Sequence, residues 1–271
     1  MKLILILIQI LIISTSYAME IPSNKRIDHW VSEYTGRLKP HLKASLLRSR
    51  LYRKEIVKIF REKGVPEEIS WLPIVESGFN CASNSNKNAA GCWQFIKSTG
   101  NAYGLNRGSW KDSRYDFHKS TIAASNYLLS LYKLFGDWNL AIAAYNAGPT
   151  SINSAIIKSK SNNYWDLVLS KETMDYIPKF YAILKIVSNP KRYEIKEENE
   201  SLEVVELKRG SHSLRRISSI LMIDYDEFLN INPGFDVEYT QPGEITRIYV
   251  LKEWDVKLLQ EFGLLEPRSQ N

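Results

Sequence analysis

Apolar positions recur at three- and four-residue steps through much of the chain, and that spacing predicts helices. In the basic segment 25–63, Leu47, Leu51, Ile56, Ile59 and Phe60 follow the pattern, and Gly64 stops it. Pro66 suits the first turn of a new helix, with Glu67 and Glu68 against its positive end. The apolar run 69–75 follows and ends at Ser77 and Gly78, so Glu76 lies at the end of a greasy segment and off any solvated face. Residues 80–118 are rich in Asn, Ser and Gly and broken by Gly91, Gly100, Gly104 and Gly108, which reads as loops and short elements. Helical spacing resumes over 120–135, 138–147 and 173–187, separated by Gly136, by Gly148 with Pro149, and by a polar run.

After Asn189 and Pro190 the pattern changes. Residues 191–201 are charge-dense and read as a linker. Beyond it lie an extended segment at 202–207, helical patterns at 214–221 and 225–229, and a second β-prone segment at 245–251. The fold class is therefore mainly α, followed by a small α+β unit of β-α-α-β order. The last residues, 254–271, allow a short amphipathic helix with a frayed end.

The start of the chain adds a compartment. Lys2 precedes an apolar stretch, 3–13, interrupted only by Gln9, and then mostly small residues to Ala18. That order is expected of a secretory leader cleaved after Ala18, since the run is shorter than the roughly 20 residues that span a bilayer. An uncleaved anchor is the alternative. No cysteine follows the run closely, so no lipid acceptor is expected there and no stable membrane anchor after cleavage. The expected organisation is a leader (1–18), an N-terminal helical extension (19–63), a main helical domain (64–190), the linker (191–201), a small module (202–252) and a tail (253–271). A chain of 271 residues is long enough for one core plus such a module. A net charge of +6 suits nucleic acid, anionic lipid or an acidic polymer, and its sign does not choose among them. Cys81 and Cys92, an even pair close in sequence, are a disulfide candidate in an oxidising compartment; two buried free thiols are the alternative. The four histidines lack metal-ligand spacing and no phosphate-cradling loop is present, so no cofactor is expected.

Glu76 follows Trp71, Leu72, Ile74 and Val75, surroundings that disfavour the ionised carboxylate and suit a proton donor near neutrality. The common glycosidase plan needs a second carboxylate, yet 77–111 holds no Asp or Glu. Around Glu76 stand Glu76-Ser77-Gly78-Phe79, Ser85, Gly91-Cys92-Trp93-Gln94-Phe95, Ala144-Tyr145-Asn146-Ala147-Gly148, and Glu172-Thr173 with Tyr176. In these motifs and their order, residues 50–187 resemble the lysozyme-like soluble lytic transglycosylase (SLT) domain, in particular the membrane-bound murein transglycosylase D group.

The resemblance implies a lyase of peptidoglycan. Glu76 would be the single catalytic acid and then base, protonating the oxygen between N-acetylmuramic acid and N-acetylglucosamine. The muramic 6-hydroxyl would then close a 1,6-anhydro sugar. It further implies that Ser85 donates to the acetamide or a neighbouring sugar group, that Gln94 lies against the glycan, and that Tyr145 bonds near the acetamide and Glu76. Asn146 would fix its turn, and Glu172 and Tyr176 would line the opposite wall. The implied partner is the glycan strand of the periplasm, with no nucleic acid. Cys92 departs from the usual Leu, Asn88 from Gly, and Cys81 from Pro, so the loop after Glu76 is braced differently. The module at 202–252 resembles a single degenerate LysM unit, a binder of N-acetylglucosamine-containing glycans. Its Gly210-Ser211-His212-Ser213-Leu214 departs from Gly-Asp-Thr-Leu, which leaves glycan binding and a structural cap both open. A goose-type lysozyme-like hydrolase and a catalytically silent peptidoglycan-binding scaffold are the competing functions.

Overall fold

The computed structural model describes residues 19–106, 112–194, 202–232, 235, 238–240, 242–243, 245–251 and 254–265. The leader, the segment 195–201 of the linker and the end of the tail lie outside the described residues.

The mainly α expectation holds, with differences in where helices begin and stop. The N-terminal pattern is two helices: α1 (Lys25–Thr35), whose first turn is capped by the Asn24 side chain, and α2 (Lys39–Lys63). They part at Gly36, and Pro40 restarts the helix in its first turn, where its missing N–H costs nothing. Gly64 ends α2 in the left-handed region (φ 77°), returning its N–H to the Phe60 and Arg61 carbonyls. The expected helix after Pro66 is a 3₁₀ turn, Glu67–Trp71, leading into the six-residue α3 (Leu72–Ser77). A short α4 (Lys97–Ala102) lies within the loop-rich stretch. Next come α5 (Phe117–Phe135) and α6 (Trp138–Ala147), started by the Asp116 and Asp137 side chains. The Gly148-Pro149 break is also a start: Pro149 opens α7 (Pro149–Ser159), which buries Ile152 and Ala155. α8 (Lys171–Val187) begins on a Ser170 cap.

Burial explains the layout. In α6, Leu140, Ala141, Ile142, Ala143 and Ala144 are all buried, so this short helix is wrapped by α5, α7 and α8. Small alanines there let the neighbouring helices approach closely. The N-terminal helices share that core, α1 packing on α8 and α2 on α3 and α5. The result is that α3, too short to be stable alone, is held between α2 and α8.

Past a 3₁₀ turn at Pro190–Tyr193, the small module follows the expected order: β1 (Leu202–Leu207), α9 (Leu214–Ile220), α10 (Tyr225–Ile231) and β2 (Thr246–Leu251). The strands pair antiparallel, Leu202 opposite Leu251 and Leu207 opposite Thr246. Buried Asn232 ties α10 to β2, donating to the Phe228 and Tyr249 carbonyls and accepting from the Tyr249 N–H. The tail forms α11 (Val256–Glu261), after which the Lys208 N–H donates to the Leu264 carbonyl at 2.8 Å. Tyr249 meets the helical body, its ring 5.7 Å from Phe117 and 6.5 Å from Tyr52.

Candidate active site

Glu76 occupies the last turn of α3, and the chain reverses immediately after it. Gly78 (φ 62°) and Phe79 (φ 57°) are both left-handed, and their N–H groups close on the Ile74 and Pro73 carbonyls. Phe79 is fully buried against Tyr52, which anchors the far side of this reversal. A Cβ on Gly78 would lie 2.8 Å from Ser45 Oγ, so the turn needs glycine for space as well as for geometry. Ser77, beside the carboxylate, donates to the Cys92 carbonyl at 2.9 Å.

Burial raises the Glu76 carboxyl to about 7; the Tyr176 hydroxyl, which donates to Oε1, works against that rise, and the charge of Glu172 adds to it. The apolar surroundings therefore outweigh the one hydrogen bond that favours the ionised form. Tyr176, from the first half of α8, and Tyr145, from the last turn of α6, are both held well above the ordinary phenol range, chiefly by burial and then by the Glu76 charge. Two neutral hydroxyls thus flank one protonatable carboxyl.

Tyr145 feels the Glu76 charge, but its hydroxyl donates to the Trp93 carbonyl at 2.8 Å rather than to the carboxylate. The Tyr145 ring stands edge-on to Phe95 and 5.3 Å from Tyr127, an aromatic wall continuing to Tyr103. Asn146 bridges its neighbours: its Oδ1 accepts from Thr173 at 3.0 Å, and its Nδ2 lies 3.5 Å from Glu172. Glu172 is exposed at the start of α8, and Lys87 of the 80–95 loop reaches it at 3.3 Å.

Gln94 adopts φ 48°, and its Nε2 donates to the Gly91 and Ser83 carbonyls at 2.8 and 3.3 Å. Both amide hydrogens go to the loop itself, so any sugar contact falls to the amide oxygen. Ser85 Oγ accepts the Lys87 and Ala89 N–H groups, a local turn that leaves its own hydrogen to donate. Asn88 sits in the left-handed region (φ 58°), a geometry asparagine tolerates. Cys81 and Cys92 form a disulfide.

The motifs did not reveal what holds this loop. Arg114, nearly buried, pairs with Asp112 at 2.7 Å and donates to the Asn88 and Phe95 carbonyls at 2.7 and 3.1 Å. A Cβ on Gly91 (φ 80°) would come within 2.2 Å of the Arg114 carbonyl oxygen. Trp93 is buried and donates to Thr121 at 3.0 Å. No sequence pattern marks Arg114; the Glu-Ser pair was the one available sign of Ser77.

Among the described residues no cluster of His, Cys, Asp or Glu could hold a metal, and no helix is long and apolar enough to cross a membrane. Residues 56–168 match the transglycosylase SLT domain family. Over 225 residues the chain is 36% identical to membrane-bound lytic murein transglycosylase D of Escherichia coli (strain K12), covering 80% of this chain and 49% of that protein. The protein of the same name from Escherichia coli O6:H1 (strain CFT073) matches with the same identity and coverage. The chain spans about half the length of the curated relatives it matches.

Proposed function

We propose, on the premise that the chain carries a transglycosylase SLT domain over residues 56–168, that it is a peptidoglycan lytic transglycosylase with Glu76 as its acid and then its base. One observation carries this: a carboxyl whose burial holds it protonated to about 7, flanked by the Tyr145 and Tyr176 hydroxyls. The acid form protonates the glycosidic oxygen between N-acetylmuramic acid and N-acetylglucosamine. The muramic acetamide supports the positive charge developing at C1, which replaces the second carboxylate of a two-acid glycosidase. Glu76, now ionised, takes the proton from the 6-hydroxyl of the same sugar, whose oxygen bonds to C1 and closes the 1,6-anhydro ring. No water is consumed, and the nucleophile has the high effective concentration of an intramolecular group.

In this reading Ser85 and the Gln94 amide oxygen contact the glycan, and Asn146, Glu172 and Tyr176 set the opposite wall. The organisation goes with it: a leader over 1–18, the helical extension to 63, the catalytic unit 64–190, the linker, a LysM-like module over 202–252 and the tail. The chain is exported and works in the periplasm on glycan strands.

Product analysis tests the proposal. Purified murein digested by the full chain should release 1,6-anhydromuramic ends by mass spectrometry, and Glu76→Gln should abolish nearly all turnover while keeping the fold. Reducing ends would instead identify a goose-type lysozyme-like hydrolase. An unaltered effect of Glu76→Gln on murein would point to a silent scaffold.

A further inference from the structure

Four links join the arm that carries Glu76 to the facing segment 91–95. Ser77, next to Glu76, donates to the Cys92 carbonyl at 2.9 Å. The Ser83 carbonyl accepts from the Gly91 N–H at 2.9 Å and from Gln94 Nε2 at 3.3 Å. The disulfide joins Cys81, just past the Gly78-Phe79 reversal, to Cys92 itself. The adjacent Trp93 carbonyl receives the Tyr145 hydroxyl at 2.8 Å. Cys92-Trp93 is therefore a hub on which both the Glu76 arm and the tyrosine beside Glu76 depend, and the disulfide is its covalent cross-link to that arm. Both sulfurs are buried. A six-residue helix ended by a sharp reversal has little rigidity of its own, and hydrogen bonds of this length do not survive a shift of the hub by an ångström.

From this juxtaposition, and resting on the functional reading above, we propose that the Cys81–Cys92 disulfide is a positioning element of the catalytic centre, making glycan cleavage by this chain dependent on an oxidised pair. The two cysteines do not touch substrate; they act through Ser77, Tyr145 and Glu76. Opening the bond with a small dithiol passes two electrons and two protons to the pair. The S–S bond gives two thiols, and the dithiol closes to its own cyclic disulfide. With the tie gone, the hub and the Glu76 arm separate, water reaches the carboxyl, and the acid is both misplaced and easier to ionise.

The test compares the full oxidised chain, the same chain held reduced under a small dithiol without oxygen, and the double variant Cys81→Ala with Cys92→Ala, at a temperature where each is folded. Thiol titration verifies the redox state. In both disulfide-free forms kcat should fall roughly ten-fold or more, as expected for a displaced catalytic group, while KM changes little. The alkaline limb of the pH–rate profile should move to lower pH, and reoxidation should restore the wild-type chain. Unchanged kcat and pH profile, with only a lower melting temperature, overturns the proposal. Loss of the fold in both forms overturns it too, because the bond then serves the fold as a whole. If the oxidised chain cleaves no glycan, it is the functional reading that fails. The positioning claim is then decided by NMR titration of the Glu76 carboxyl, which should ionise at lower pH without the disulfide.

Discussion

Between the ordinary carboxylate range and about 7, Glu76 keeps a proton in the folded chain that it would lose on unfolding. The native state binds the extra proton there, so stability falls as pH rises through that window and is level above it. The linkage is worth about 3 kcal/mol. Glu76→Gln should therefore match wild type in melting temperature near pH 4 and exceed it by several degrees at pH 8; equal curves at both pH values would show that the carboxyl is not desolvated. Its neighbours should move the titration in opposite directions. Tyr176→Phe removes the bond that favours the ionised form, so the alkaline limb of activity should shift to higher pH. Glu172→Gln removes the charge that disfavours it, so the limb should shift lower. Parallel shifts in the two variants would contradict this assignment of causes. That Glu76 ends an apolar run was visible in sequence, whereas the donation of Tyr145 to a main-chain carbonyl was not, because hydrogen-bond partners 52 residues apart are set by packing.

Loop 80–95 behaves as an element although it has almost no regular structure. Its shape comes from Arg114, from glycine and asparagine at positive φ, and from turns made by its own side chains. Gly91→Ala places a Cβ against backbone at a positive φ, whereas Gly104→Ala, also at positive φ (82°), meets nothing within 4 Å. The second change should cost about 1 kcal/mol; the first should cost several-fold more in thermal denaturation and lower activity, because the segment bearing Gln94 must move. Similar losses at the two sites would remove the close approach from the account. Helix boundaries were legible wherever a cap or a left-handed glycine stood, as at Gly64, Gly78 and Gly136. α7 was not legible, because Gly148-Pro149 reads equally as a stop or as a first turn, and only the burial of Ile152 and Ala155 against α6 decides between them.

The small module sits on the helical body through Tyr249, packed edge-on against the paired Tyr52 and Phe117 rings, and β1 lies against α2. Within the module, Thr240 accepts the His212 N–H and donates to the Gly210 carbonyl, closing the altered Gly-Ser-His-Ser-Leu loop onto the loop before β2. A module held this way should unfold together with the body. Tyr249→Ala removes a buried aromatic and should lower the melting temperature of the single transition, at a cost of about 3–5 kcal/mol. Two separate calorimetric transitions in wild type would instead mean an independently hinged module.

Hydrophobic spacing, capping residues and ordered motifs are local properties, and through them the sequence alone determined the mainly α class, the β-α-α-β order of the small module and the place of Glu76 at the end of an apolar run. Tertiary structure decided the rest: which carbonyl takes the Tyr145 proton, that Cys81 and Cys92 meet, that Arg114 clasps the loop, and that Tyr249 seats the module. Each of those depends on groups far apart along the chain, brought together only when a common core excludes water, and no short window of residues encodes such a meeting.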